Sequence, residues 1–148
     1  MADEASKLKE KVGLELEAAV CEIEKGTLRR FAQALGDPNP LWQDEEYAVK
    51  TRYGGIIAPP TLALTLGFSR IQQMLTLDPS LTVLHGSTEL EPYQPIRPGD
   101  VVTVSTRIAR VRERPGKMGS TLFVTFEVTC RNQRQEMVAR CRQMAIIY

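Results

Sequence analysis

The sequence predicts an α+β domain in which a curled antiparallel sheet wraps around one apolar helix. Three observations lead there. Between Thr61 and Leu75 the residues Leu62, Leu64, Leu66, Phe68, Ile71, Met74 and Leu75 cover too much of a helix for it to lie on solvent. Beyond Ser80 come four segments of alternating hydrophobicity, and the clusters between them carry the Gly, Pro and Asn residues that turns require. A helix apolar on most sides must be covered, and a sheet with one apolar face is what can cover it.

The elements follow in order. Ala5 to Val12 has the spacing of a short amphipathic helix, and Glu15 to Glu24 alternates as a half-buried strand does. Gly26 ends that strand, Thr27 is placed to cap a helix, and Leu28, Phe31, Ala32 and Leu35 follow at helical spacing up to Gly36. Asp37-Pro38-Asn39-Pro40 cannot continue a helix, because each proline restricts the residue before it and removes a donor; it is read as a fixed turn. A short helix from Asp44 to Lys50 precedes Tyr53-Gly54-Gly55, the loop Ile56–Pro60 and the central helix. The four strands are read as Thr82–Glu91, Val101–Arg112, Thr121–Arg131 and Met137–Ile147, joined as hairpins. Period two places Val102, Val104, Thr106 and Ile108 on one face, and Leu122, Val124, Phe126 and Val128 likewise. The 148 residues are read as a single domain, 1–148, whose 43% hydrophobic content suffices for a core.

Composition removes many function classes. Nineteen Lys and Arg against eighteen Asp and Glu leave +1, too little for binding nucleic acid through bulk charge. The charge is uneven, however: Arg107 to Arg142 holds nine basic residues against Glu113, Glu127 and Glu136, enough to meet phosphates such as those of coenzyme A. Cys21, Cys130 and Cys141 lack metal-ligand spacing and are read as small buried hydrophobes, the N-terminus is charged, and the apolar stretch Gly54–Leu77 is interrupted by polar residues. The expectation is a reduced, soluble, cytoplasmic protein without membrane or nucleic-acid contacts and without a metal. There is no phosphate-binding glycine loop and no nucleophile elbow, and His85 is the one histidine.

Phe31-Ala-Gln-Ala-Leu-Gly-Asp-Pro-Asn-Pro-Leu-Trp42 resembles the hydratase motif of the MaoC-like, (R)-specific enoyl-CoA hydratase/dehydratase family, which has a hot-dog fold. Tyr53-Gly-Gly-Ile-Ile-Ala-Pro-Pro-Thr61 and Leu84–Asp100 look like the N-terminal-type half of that family. The resemblance implies addition of water to a trans-2-enoyl thioester, or its reverse, by an aspartate and a histidine five residues later, with an asparagine supporting the turn. Asp37 and Asn39 match, but Trp42 stands in the histidine's place. A carboxylate can accept a proton from water, yet an indole cannot return one near neutral pH. The family also implies an amide donor for the thioester oxygen at the start of the central helix. Here Ala58-Pro59-Pro60-Thr61 occupies that stretch, and prolines have no N–H.

The resemblance thus implies a subunit of a hydro-lyase, acting on a coenzyme A or acyl-carrier-protein thioester with no cofactor. This chain would shape the acyl tunnel while a partner hot-dog subunit supplies the Asp/His pair. Its substrate-binding candidates are Asn39, Trp42, Ile56, Ile57, Ala58, Pro59, Pro60, Leu62, Leu66 and His85, with Asp37 as the catalytic candidate. Two alternatives stand beside this: a self-sufficient homodimeric hydratase or thioesterase using Asp37 or Glu89, and a non-catalytic acyl-CoA-binding protein. Sheet edges left open by one such domain favour at least a dimer.

Overall fold

Alternation in the second half of the chain becomes a five-stranded antiparallel sheet. In the computed structural model, which describes residues 2–116 and 119–148, the strands are β1 (Ala19–Glu22), β2 (Val83–Pro92), β3 (Val101–Gly116), β4 (Gly119–Arg131) and β5 (Met137–Ile147). Their order is β1-β3-β4-β5-β2. The helices are α1 (Ala2–Glu10), α2 (Lys25–Leu35), α3 (Glu45–Val49), α4 (Leu62–Leu66) and α5 (Phe68–Met74), with a single 3-10 turn at Pro40–Trp42. This is the α+β hot-dog arrangement expected from the sequence. No helix among the described residues is long and apolar enough to cross a membrane.

The two expected faces are present. Val102, Val104, Thr106 and Ile108 on β3, and Leu122, Val124, Phe126 and Val128 on β4, are all essentially inaccessible. Ala5 and Leu8 of α1, Leu62 and Ala63 of α4, and Ile71 and Met74 of α5 join the same core. The alternation on β3 is broken once. Ile108 pairs with Phe126 and Arg110 with Thr125, so Ala109 is an extra residue in the ladder. Such a bulge shifts the parity of a strand. Arg107 therefore lies on the outer face before it, and Arg110, Arg112 and Arg114 lie on the same face after it.

Five expectations require correction. The central helix is not continuous: α4 and α5 meet at Gly67, where an added Cβ would lie 2.7 Å from Val128 Cγ1. The packing that buries the helix is what interrupts it. Nor is it covered on all sides, since Phe68 is 53% exposed. The β2 strand does not form a hairpin with β3; it pairs with β5, at the far edge from β1. Finally, Gly26 and Thr27 lie inside α2, because the Glu24 carbonyl already accepts the Leu28 N–H at 3.2 Å and Thr27 Oγ1 accepts from Arg30 instead of capping. The expected β1 also shortens to Ala19–Glu22, with Glu15 making only an isolated bridge to Arg107. Lys117 and Met118, in the turn between β3 and β4, lie outside the described residues.

The Gly67 contact decides the sign of a substitution there. Gly67 has φ −90° and ψ −8°, right-handed angles that alanine can also adopt, so helix propensity alone would favour alanine by up to about 1 kcal/mol. Against that stands a collision with a buried valine, which typically costs about 1–3 kcal/mol. Gly67→Ala is expected to lower the urea midpoint, and Gly67→Ala in a Val128→Ala background to be neutral or stabilising.

Candidate functional site

The turn after α2 is built from its own side chains. Gly36 ends α2 with φ 66°, in the left-handed region, and its N–H and that of Asp37 reach back to the Gln33 and Ala32 carbonyls. Asp37 then closes the turn: its Oδ1 accepts the Asn39 backbone N–H at 3.0 Å, and Asn39 Oδ1 accepts the Leu41 N–H at 3.0 Å. The remaining Asp37 oxygen, Oδ2, accepts the Trp42 Nε1–H at 2.9 Å. Trp42 is itself buried against Ala32 and Ile57, with half-buried Leu41 and Tyr53 beside it.

Trp42 stands five positions after Asp37, and the 3-10 turn places the indole donor against the carboxylate. The geometry keeps a hydrogen bond but not a proton-transfer pair. The indole bond first, and the Asn39 amide second, hold the Asp37 carboxyl below the usual carboxylate range. A carboxylate so stabilised is a weak base, and Trp42 has no proton to exchange.

The start of α4 offers few donors. Pro59 and Pro60 have no N–H, while the amides of Leu62, Ala63 and Leu64 reach back to the carbonyls of Pro59, Pro60 and Thr61. Ala58 N–H is taken by Ile96 O at 2.7 Å. Among the described residues, Thr61 alone in this stretch has an N–H without an intrachain acceptor.

Two cavities bear on the expected apolar lining. A cavity of about 510 Å³ opens between α5 and the outer strands, lined by Phe68, Ile71, Gln72, Leu75, Val83, Leu84, His85, Phe126, Gln143, Met144 and Ala145. Of the candidates, only His85 lines it. Its Nε2 lies 2.9 Å from Thr88 Oγ1 on the exposed edge strand, and no hydrogen bond joins it to Asp37. Ile56, Ala58 and Leu62 are core residues, Leu66 packs half-buried against the core, and Ile57 and Pro60 line a smaller cavity of about 300 Å³ beside Tyr53 and Tyr93. The Asp37 turn and the larger cavity do not share a residue. The lining went unread in the sequence because β2 sits beside β5 rather than β3; the exposed aromatic Phe68 was the available signal.

The other groups are structural. Burial pushes the Cys130 thiol up to about 12 and the Cys141 thiol to about 11, which makes both poor nucleophiles, and Cys21 is half-buried. Among the described residues no three His, Cys, Asp or Glu side chains converge as a metal site would require. Glu89 is exposed on β2, 3.6 Å from Arg142.

Comparison with known proteins bears on this geometry. A family model described as FAS1-like, dehydratase domain region, matches residues 10–141. A UPF0336 protein of Thermobifida fusca is 35% identical over 106 residues, 68% of this chain and 69% of that protein. A probable enoyl-CoA hydratase alpha subunit of Thermomonospora curvata is 27% identical over 132 residues, 78% of this chain but 41% of that protein. The crystal structure of a MaoC-like dehydratase from Rhodospirillum rubrum superimposes with a TM-score of 0.67 at 27% identity, covering 93% of this chain and 92% of that one. The chain spans about two thirds of the length of the UPF0336 relatives it matches.

Replacing Trp42 by phenylalanine removes the indole donor and keeps most of its packing. The Asp37 carboxyl should then titrate nearer its ordinary range, as read from its carboxyl ¹³C shift against pH. Because the folded-state value of Asp37 lies below its unfolded value, the stability it contributes is present above the unfolded pKa and lost as pH falls through the folded one. Wild type should therefore unfold at higher urea than Trp42→Phe at neutral pH, with this carboxylate's share of the gap vanishing as pH falls below its folded-state pKa. An unmoved Asp37 titration would show that the indole bond does not hold the carboxylate.

Proposed function

The chain belongs to the family of FAS1-like dehydratase regions, and from that premise we propose that it is the acyl-accommodating subunit of an enoyl-thioester hydratase/dehydratase whose reactive acid/base pair comes from a partner hot-dog chain. The observation that carries this reading is the Trp42 Nε1–H donating to Asp37 Oδ2. It leaves the carboxylate satisfied and nothing beside it able to return a proton. The proline-rich start of α4 supports the same reading, since stabilising an enolate oxygen requires free donors aimed at it. What the chain offers is apolar room: a cavity of about 510 Å³ beside an open strand edge.

A partner is consistent with the surface. The chain exposes 8743 Å², against roughly 7,600 Å² for a compact monomer of this mass. Every residue of β2 but Leu90 is exposed, and its outer edge has no strand beside it. An unpaired edge of ten residues is a template for another strand. The name of the Thermomonospora curvata relative, an alpha subunit, agrees with an enzyme of more than one chain.

The substrate in this reading is a coenzyme A or acyl-carrier-protein thioester, and no cofactor takes part. Water is activated on the partner's side of the joint site, while this chain holds the acyl chain between α5 and β2. Coexpression with a hot-dog chain carrying an aspartate and a histidine five residues apart, followed by hydration assays on crotonyl-CoA and longer enoyl-CoA esters, tests it. The isolated chain should fall at least about 10²-fold below the complex, the scale that acid/base assistance contributes. Within the complex, Asp37→Ala should leave turnover within a few-fold of wild type. Ordinary turnover by the isolated chain, abolished by Asp37→Ala, would sink the proposal.

A further inference from the structure

The outer face of the sheet sorts its arginines into two groups. Arg107 and Arg140 bind the Glu127 carboxylate at 2.6 and 2.8 Å, and Arg142 stands 3.6 Å from both Glu127 and Glu89. Arg134 pairs with Glu136 at 2.9 Å, and Arg131 donates to the Gln135 carbonyl at 3.0 Å. Arg110, Arg112 and Arg114 have no acidic partner among the described residues. Glu113, their neighbour in sequence, points to the other side of β3 and is held by Lys9 at 3.0 Å. Three cations thus stand uncompensated on successive outward positions, about 7 Å apart along the strand.

They surround a depression of about 280 Å³ floored by Phe123, Thr125 and Met144. The register explains the floor: Arg110, Thr125 and Met144 lie in one row across β3, β4 and β5, and Arg112 lies opposite Phe123. Arg114 extends over the Phe123 ring, 5.6 Å from its centre. That contact takes up Arg114 in part and leaves the forks of Arg110 and Arg112 free. Two guanidinium forks at this spacing match a pair of linked phosphoryl groups better than one small anion, because each fork binds two oxygens in its own plane. The hydroxyl of Thr125, opposite Arg110, adds a donor, and the half-buried ring of Phe123, opposite Arg112, gives the ligand an apolar wall.

We propose that this outer face is a binding site for a diphosphate-bearing small molecule, held by Arg110 and Arg112 with Thr125 and Phe123 beneath. It shares no side chain with the Asp37 turn, and Met144 lines both this depression and the cavity of about 510 Å³.

Titration calorimetry and amide spectra of the full chain with pyrophosphate, ADP, adenosine and sulfate, at roughly 50 mM salt to limit screening, test it. Pyrophosphate and ADP should bind and shift the amides of Arg110, Arg112, Phe123 and Thr125, whereas adenosine and sulfate should bind at least about tenfold more weakly. Equal affinity for pyrophosphate and ADP makes the diphosphate the whole determinant; tighter ADP adds stacking of the nucleoside. Arg110→Gln with Arg112→Gln should weaken binding about tenfold or more, and Arg110→Lys with Arg112→Lys, which keeps both charges and with them the fold, should weaken it several-fold by losing the forks. Shifts confined to other faces, sulfate binding as tightly as pyrophosphate, or unaltered affinity in both paired variants overturns the proposal.

Discussion

The seating of the helical layer at Gly67 is the constraint on which the other features depend. A sheet with one apolar face must be covered, and here α4 and α5 press so close to β4 that there is no room for a side chain between the helix and Val128. Leu62 and Ala63 are thereby set into the core on one side of the contact, and Ile71 and Met74 on the other. The approach also fixes the loop before α4, whose Ile57 packs against Trp42 and supports the Asp37 turn. Beyond the contact, α5 leaves Phe68 exposed above the cavity. One missing Cβ thus positions the core, the turn and the cavity together.

Local regularities carried most of the fold. Strand identity rested on side-chain alternation, which needs only the pleat, and β3, β4 and β5 run close to the ranges their patterns suggest. What depends on distant partners was not legible. Strand order is one case: β2 and β3 are successive, but the eight residues between them lead across the sheet and β2 pairs with β5. The central helix is another, since an apolar surface that wide reads as one continuous helix until the sheet's own side chains interrupt it at Gly67. The bulge at Ala109 left the faces up to Ile108 correct and exchanged those beyond it.

The candidate site divides along the same line. Asp37, Asn39 and Trp42 lie within six residues, and proline restrictions left that segment little freedom, so a fixed turn was legible there while the Trp42–Asp37 bond was not. Ile56, Ile57, Leu62 and Leu66 were candidates for an apolar tunnel on hydrophobicity alone, which cannot separate a core residue from a cavity wall. The cavity is lined instead from three parts of the chain, α5, β2 and the β4–β5 pair, brought together only by the strand order. His85 reached the cavity through that order too, and not by any relation to Asp37.

The Asp37 turn shows how a carboxylate can be committed to local structure by the donors around it. The carboxylate serves the turn through the Asn39 amide whatever stands at position 42. A donor at that position then decides only what the other oxygen does. An imidazole would leave the pair able to gain and lose a proton near neutrality. An indole fills the same bond at 2.9 Å, buries its ring against Ala32 and Ile57, and lowers the carboxyl's basicity. Local stability and catalytic competence therefore make opposite demands on Asp37: the first is served by donors that satisfy both oxygens, the second by leaving one of them a water to hold. With Trp42 in place the balance falls to stability, and under the proposed function the proton relay is drawn from a second polypeptide.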